Sequence, residues 1–137
     1  MAHWLVKSEP GAYSWAQMVA DKRTHWNGVR NFQAASNLKK MAVGDSCFFY
    51  HSGEERAVVG VVEVAKAAYP DPSDKEGKFV MVDVKAVKPL KQPVTLAQIK
   101  ADPELAKIAL VRQSRLSVMP IDDKAWTKIL KLGGGLG

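Results

Sequence analysis

The fold is decided by two apolar stretches, Ser46-Cys47-Phe48-Phe49-Tyr50-His51 and Ala57-Val58-Val59-Gly60-Val61-Val62-Glu63-Val64. The first is apolar on both faces, which predicts a central strand, and the second is rich in valine, which favours strands. Apolar residues also alternate in Phe79–Lys88, which predicts a third strand facing the core through Val80, Val82, Val84 and Ala86. Because no helical pattern separates these strands, we expect them to pair as antiparallel neighbours.

Shorter elements are predicted on both sides of these strands. Before them the sequence predicts a strand at His3–Lys7, a helix capped by Ser14 with Trp15, Met18 and Val19 on one side, and a helix from about Asn31 with Phe32, Ala35 and Leu38 inward. A loop is predicted at 69–74. After the three strands it predicts a helix at Thr95–Ala101, another beginning at Asp102-Pro103, a strand at Arg115–Met119 stopped by Pro120, and a helix capped by Asp122. The expected fold class is α+β, with a small curved sheet or pseudobarrel of about five to six mostly antiparallel strands surrounded by helices.

Composition is that of one globular domain. The chain has 137 residues, 47% of them hydrophobic and 25% charged, with no apolar run long enough for a membrane span and no recognisable leader. Its single cysteine, Cys47, lies in a predicted strand, so we expect a reducing, cytoplasmic location. We also expect a monomer. The net charge of +6 favours a polyanionic partner. We expect residues 1–132 to form the domain and the glycine-rich residues 133–137 to be a flexible tail.

Polar groups are concentrated in Trp26-Asn27-Gly28-Val29-Arg30-Asn31-Phe32-Gln33 and again in Tyr50-His51-Ser52. A buried amide or guanidinium needs a hydrogen-bond partner, so ordinary core segments do not collect them. An indole face, paired amide donors and acceptors, a planar guanidinium and a glycine together suit a flat polar ring such as a nucleobase. The alternative is structural: a core indole at Trp26, a turn at Gly28 and a surface charge at Arg30.

No catalytic or metal-binding motif is visible. The three histidines are scattered and one cysteine cannot complete a metal site, so we expect neither metal nor cofactor. Glu9 follows the first strand and can either accept hydrogen bonds from a base edge or pair with Lys7 or Arg30. His51 ends a strand, where it is either a general base or a hydrogen-bonding residue.

The chain resembles the EVE domain family, a branch of the PUA-like superfamily, over nearly its whole length. The stretches that match are Trp4–Pro10, His25–Ala34, Val43–Asp45 with Phe48–Ser52, Gly60–Val64, Ala68–Asp71, and Arg115–Val118 with Pro120. The resemblance implies a PUA-like β pseudobarrel wrapped by helices, which agrees with the predicted order of strands.

EVE domains are similar to YTH domains, which read N6-methyladenine in RNA, and the resemblance therefore implies recognition of a modified base. By position, Lys7-Ser8 resembles the Lys-Ser that lines the YTH base pocket, and Trp26-Asn27 resembles a Trp of the aromatic cage with its polar neighbour. The segment Asp74–Phe79 resembles the one that supplies another cage Trp, yet it contains none. Specificity for methylated adenine is therefore not implied, and a modified cytosine fits as well.

We therefore expect a non-catalytic reader that holds a modified base of DNA or RNA in a Trp-walled pocket. Its predicted ligand-binding residues are Lys7, Ser8, Glu9, Trp26, Asn27, Gly28, Val29, Arg30, Asn31, Gln33, Tyr50, His51, Ser52 and Arg115. Trp26 is expected to stack on the base, so that Trp26→Ala removes binding without unfolding the domain.

The remaining roles in this hypothesis follow from side-chain chemistry. Amides at Asn27, Asn31 or Gln33 would read the polar edge of the base, with backbone groups of Gly28 and Val29, while Ser8 and Ser52 would orient its exocyclic substituent. The cations Lys7, Arg30 and Arg115 would contact flanking phosphates, unless Arg30 pairs with Glu9. Two alternatives stay open: an enzyme acting on a modified nucleotide or small heterocycle with Glu9 or His51 as acid or base, and an interaction module with a vestigial pocket.

Overall fold

The computed structural model describes residues 2–137. In chain order its elements are β1 (His3–Ser8), α1 (Trp15–Asp21), β2 (Arg23–Trp26), α2 (Phe32–Lys40), β3 (Ser46–His51), β4 (Ala57–Pro70), β5 (Val80–Thr95), α3 (Leu96–Ala101), α4 (Ala109–Arg112), β6 (Val118–Ile121) and α5 (Asp123–Leu132).

The strands form one sheet in the order β2-β5-β4-β3-β1-β6. Every neighbouring pair is antiparallel except β1 and β3, which run parallel. The predicted class, α+β with about five to six mostly antiparallel strands and surrounding helices, is confirmed, and the sheet has six strands. The pairing of β4 with β5 contains several register shifts, and such bulges bend and twist long strands.

The two longest strands extend beyond their predicted limits. Residues 69–74 were expected to be a loop, but Tyr69 and Pro70 belong to β4 and pair with Met81 and Val80 of β5. β5 likewise continues to Thr95. The proline is tolerated because it stands at the end of a strand, where a missing N–H costs little.

Two edge strands were also misjudged. β2 was not predicted, because the polar residues Arg23, Thr24 and His25 hide the strand pattern at a solvent-exposed edge. The last strand was expected to stop before Pro120, whereas β6 includes this residue, paired with Trp4 of β1. Since β6 lies at the other edge of the sheet, its proline has no further strand to pair with.

The helices begin where the predicted caps lie, but two faces and one helix differ from expectation. Ser14 accepts a hydrogen bond from the N–H of Gln17, and Asp122 from that of Ala125. Phe32 was expected to point inward and Val19 to share one side of its helix with Met18, which is buried, yet Phe32 and Val19 are both exposed. No helix begins at Asp102: this residue ends α3, and turns follow until α4.

The core lies between the sheet and the helices. Its largest fully buried side chains include Phe48, Phe49, Leu5 and Leu38, and Cys47 is buried among them as expected. At one end of the core, the rings of His3 and Phe48 each stack on Trp126, with centroid distances of 4.3 and 3.8 Å. This stack joins α5 to β1 and β3.

The glycine-rich C-terminus lies along β5. The backbone N–H groups of Lys91 and Gln92 donate to the carbonyls of Gly135 and Gly133, and Gly137 donates to Pro89. These contacts run against the expectation of a frayed tail, while the limits of the domain stay a prediction. Within residues 2–137, no helix is both long and apolar enough to cross a membrane.

Candidate functional site

A cavity of about 560 Å³ opens where β1 ends, beside β2 and the segment that leads into α2. Small-molecule sites commonly have volumes of roughly 300–1,000 Å³, so the cavity can admit a nucleobase with its sugar. Its wall contains many of the predicted binding residues, namely Lys7, Ser8, Glu9, Trp26, Asn27, Gly28, Val29, Arg30 and Asn31. Residues that were not predicted also line it: Ala12, Tyr13, Thr24, His25 and Ser117.

Trp26 forms part of the cavity wall and part of the core at once. β2 positions it opposite Val82 of β5. Its ring lies nearly perpendicular to those of Phe49 and Tyr13, at centroid distances of 5.5 and 6.4 Å. The residue is only 8% exposed. Truncating a large buried aromatic costs roughly 3–5 kcal/mol, so Trp26→Ala is expected to destabilise the domain as well as to remove binding.

Asp71 fixes the backbone of the segment after Trp26. Its buried carboxylate accepts from the N–H of Gly28 at 2.8 Å and from Nη1 of Arg30 at 3.2 Å. Gly28 has a φ of +76°, a conformation that glycine adopts without strain. The guanidinium also donates to Ser73 Oγ at 2.9 Å. The proposed pairing of Arg30 with Glu9 is therefore wrong, because Asp71 is its partner.

The carboxylate of Asp71 is ionised well below neutral pH. Burial alone would raise its pKa, but hydrogen bonds from the side chain and N–H of Ser73, the N–H of Gly28 and the side chain of Arg30 outweigh burial and lower the pKa to about 2. The N–H of Gly28 is thus occupied and not available to a ligand. The carbonyl of Val29 accepts from the Arg30 guanidinium at 3.2 Å.

Two polar side chains in the wall keep part of their hydrogen-bonding capacity. Ser8 Oγ donates to the carbonyl of Tyr13 at 2.5 Å, which leaves its oxygen lone pairs as acceptors. Asn31 caps α2, with Oδ1 accepting from the N–H of Ala34 at 2.9 Å, which leaves its Nδ2 as a donor. The cavity wall therefore includes an acceptor at Ser8, which ends β1, and a donor at Asn31, which caps α2.

The mouth of the cavity carries charge of both signs. Lys7 Nζ donates to the carbonyl of Ser114 at 2.9 Å and lies 5.8 Å from the centroid of the Tyr50 ring. Burial lowers the pKa of this lysine. Glu9 and Asn27 are exposed on the rim. The Lys7 contact joins the end of β1 to the segment that precedes β6.

A second, shallower groove of about 360 Å³ adjoins the cavity and shares Asn31 with it. The predicted residues Gln33 and Arg115 lie here and not in the cavity. The groove is lined by Asn31, Gln33, Arg112, Gln113, Ser114, Arg115 and Leu116. Arg112 was not predicted, because a lone arginine at the end of a short helix has no local pattern to distinguish it.

The predicted residues Tyr50, His51 and Ser52 line neither the cavity nor the groove. His51 holds α1 in place: its Nε2 accepts from the N–H of Trp15, and its Nδ1 lies 2.9 Å from Oε1 of Glu55. Ser52 donates through its backbone N–H to the carbonyl of Ser8. Tyr50 is buried beneath Lys7. These residues support the site from behind.

A further polar cluster, missed from sequence, stands beside the cavity. Asp83 of β5 is buried and contacts Arg23 Nη2 at 2.9 Å, His25 Nδ1 at 2.8 Å and the hydroxyl of Tyr69. Burial would raise the pKa of Asp83, but hydrogen bonds from His25, Tyr69 and Arg23 lower it to about 2. Three strands meet in this cluster, so sequence spacing alone could not reveal it.

Comparison with known proteins connects this fold and cavity to a family. The model of the EVE domain matches residues 2–132. Human thymocyte nuclear protein 1 is 33% identical over 165 aligned positions, which cover 96% of this chain and 73% of that protein.

Solved structures agree with this assignment. The NMR structure of Rpa0253 from Rhodopseudomonas palustris is 51% identical, with a TM-score of 0.93 and coverage of 98% of this chain and 94% of that one. The crystal structure of human THYN1 protein in complex with 5-methylcytosine-containing DNA is 32% identical, with a TM-score of 0.91 and coverage of 100% of both chains. The predicted resemblance is thus confirmed, and the chain belongs to the EVE domain family.

Proposed function

We propose that this protein is a non-catalytic reader that binds a modified nucleobase of a nucleic acid in the cavity beside Trp26. The observation that carries the proposal is a Trp-walled cavity of about 560 Å³ on a fold that matches a DNA-bound relative over its whole length. Because that relative was crystallised with 5-methylcytosine-containing DNA, 5-methylcytosine is the first ligand to test.

The bound base would be one that has left its stack. Extrusion of a base costs a few kcal/mol, and contact with an aromatic wall returns about 1–3 kcal/mol per base. Ser8 Oγ can accept from an exocyclic amino group, and Asn31 Nδ2 can donate to a ring nitrogen or carbonyl. This pair of groups complements the polar edge of cytosine, which has both a donor and acceptors.

The strand that carries the base would be held by cations around the opening. Lys7 and Arg30 line the cavity, and Arg115 lines the adjoining groove. Contacts between such side chains and phosphates position a nucleic acid without reading its sequence. Because Arg30 is fixed by Asp71 and Ser73, it offers a preorganised guanidinium. The monomeric state and the cytoplasmic location also stay predictions.

The alternative of an enzyme has less support from the geometry. Both ring nitrogens of His51 already have hydrogen-bond partners, so a ligand would find no free base there. Glu9 is exposed at the rim of the cavity, where solvent reaches its carboxylate. Glu9 lacks the enclosed surroundings typical of a catalytic carboxylate, and His51, though buried, is committed to its contacts with Trp15 and Glu55.

Calorimetric titration with matched oligonucleotides tests the proposal. The same single strand is prepared with cytosine, 5-methylcytosine or N6-methyladenine at one central position. We expect 5-methylcytosine to bind more tightly than cytosine. Trp26→Phe keeps a ring in the core but shortens the cavity wall, so it should weaken binding of the modified strand roughly ten-fold.

Trp126→Phe is the matched control, because Trp126 is equally buried but stacks at the other end of the core. It should leave affinity unchanged. Equal affinity for modified and unmodified strands, or equal losses in the two tryptophan variants, would reject the reader. Recovery of an altered nucleoside after prolonged incubation would favour the enzyme.

A further inference from the structure

Phe32 is an aromatic side chain at a position where neither burial in the core nor the start of a helix explains an aromatic residue. It is the first residue of α2 and is 72% exposed. A ring left in water forgoes roughly 1.5–3 kcal/mol of burial. The first helical position favours proline and acidic residues, not aromatics. Phe32 therefore serves neither the core nor the helix start.

The ring is nonetheless held in place on one side. It packs against Phe79, with centroids 5.0 Å apart and planes inclined by 31°. The guanidinium carbon of Arg30 lies 5.4 Å from the centroid of the same Phe79 ring. Arg30 is itself fixed by Asp71, so this aromatic platform of Phe32 and Phe79 rests on a rigid support. A preorganised ring loses little entropy when a second ring stacks on it.

The platform adjoins the proposed binding site through Arg30, which lines the cavity and lies near the Phe79 ring, while Phe32 and Phe79 themselves stand outside the cavity wall. Phe32 follows Asn31 directly and stands two positions after Arg30, and both of these residues line the cavity. Consecutive Cα atoms are about 3.8 Å apart, so the Cα of Phe32 lies at this distance from that of Asn31 in the cavity wall. The groove that contains Gln33 and Arg115 starts at the same turn of the chain.

We propose that Phe32 stacks on the base that neighbours the extruded base in the same strand. Removing one base from a stack exposes the face of the next one, and an aromatic or apolar side chain commonly covers such a face. Stacking needs no particular base, so Phe32 adds affinity without sequence preference. This inference rests on the proposed function, because the neighbouring base is defined by the one in the cavity.

The test compares a free nucleoside with a strand. Wild type, Phe32→Ala and Phe32→Tyr are titrated with 5-methyl-2′-deoxycytidine and with a short single strand that carries one central 5-methylcytosine. Phe32→Ala should weaken binding of the strand roughly ten-fold and leave binding of the nucleoside unchanged. Phe32→Tyr, which keeps the ring, should bind the strand like wild type. Val43→Ala is the control, since Val43 is likewise an exposed hydrophobic residue, at 60%, but lies in the turn before β3.

Strands with one abasic position make the test specific to stacking. Removing the base on one side of 5-methylcytosine should weaken wild-type binding as much as Phe32→Ala does, and should cost the variant nothing more. An unchanged affinity of Phe32→Ala for the intact strand, or losses that simply add, would overturn the inference and leave the platform to a protein partner. If wild type binds the cytosine and 5-methylcytosine strands equally, the proposed reader function is rejected. The effect of Phe32→Ala on the affinity for either strand still tests the stacking of Phe32 separately.

Discussion

Asp71 shows how a single buried carboxylate can organise a binding surface. Its short side chain is fully buried and accepts hydrogen bonds from the backbone N–H of Gly28 and the guanidinium of Arg30. Both donors come from a distant part of the sequence. Nothing around Asp71 in the chain indicates this role, because it follows a proline in what reads as an ordinary polar turn. The cluster at residues 26–31 could be recognised from its own composition, whereas the residue that fixes it could not.

Replacing Asp71 with asparagine should therefore lower stability and binding together. The carboxylate has a pKa of about 2 in the folded protein, compared with about 3.9 in an unfolded chain. That difference corresponds to about 2.5 kcal/mol of folding free energy at neutral pH. We expect Asp71→Asn to lower the free energy of unfolding in urea by about this amount.

The pH dependence of the free energy of unfolding of wild type and Asp71→Asn tests whether the ionised carboxylate causes the difference in stability. A depressed carboxyl pKa stabilises the fold fully above the unfolded value, and this contribution is lost as the pH falls through the folded value. The gap between wild type and Asp71→Asn should thus be constant above about pH 5 and close as the pH approaches about 2. Glu54→Gln, in an exposed turn, should show no such gap. A gap that persists in acid would assign the effect to packing.

Among the elements, α1 depends on one glycine of the sheet. A Cβ added at Gly60 of β4 would lie 2.5 Å from Cη2 of Trp15, the first residue of α1. The helix is also tied to β3 through the contact of His51 with the N–H of Trp15. Gly60 thus lets the indole lie directly on the strand.

Gly60→Ala should push Trp15 away from β4 and loosen α1. Overpacking of this kind typically costs 1–3 kcal/mol, so we expect a lower melting temperature and greater exchange of the α1 amide protons. Gly11→Ala is the matched control, because a Cβ at Gly11 meets no atom within 4 Å and the residue has no positive φ. Equal stability of the two variants would show that Trp15 repacks freely.

Element limits differ in how well they can be predicted, and the reason is the range of the interaction. The helix starts after Ser14 and Asp122 are predictable because a cap is a contact between residues three apart. Strand limits depend on a partner far along the chain. Tyr69 and Pro70 read as a loop, yet pairing with β5 keeps them in the sheet. The inward face assigned to Phe32 was wrong for a related reason, since periodicity cannot tell a core ring from one held at the surface.

For the whole molecule, the excess of basic residues is expected to favour nucleic-acid binding mainly where the fold brings several of them together. Arg112 and Arg115 meet in the groove next to the cavity, and within residues 2–137 neither forms an ion pair with a carboxylate. Lysines elsewhere are spread over the surface. We therefore expect a local effect on nucleic-acid binding from these two arginines, beyond that of net charge.

The salt dependence of binding can separate these two effects. Each phosphate contact to a single strand contributes roughly 0.7 to the slope of log K against log salt concentration. The double variant Arg112→Gln/Arg115→Gln should reduce the slope by roughly 1.4 and weaken binding of modified and unmodified strands alike. Lys88→Gln/Lys91→Gln removes the same charge from exposed positions of β5 and should leave the slope nearly unchanged. Equal slopes for both double variants would mean that only overall charge matters.

The position of β1 in the sheet has a consequence for biosynthesis. During translation, β1 can pair with β3 once His51 has emerged from the ribosome. Its other edge, however, must wait for Val118–Ile121, which is synthesised after β3, β4 and β5. Until β6 and α5 have been synthesised, a polypeptide with an open strand edge and an unfilled place for Trp126 is exposed to solvent, which makes this the stage at which a chaperone would be most useful.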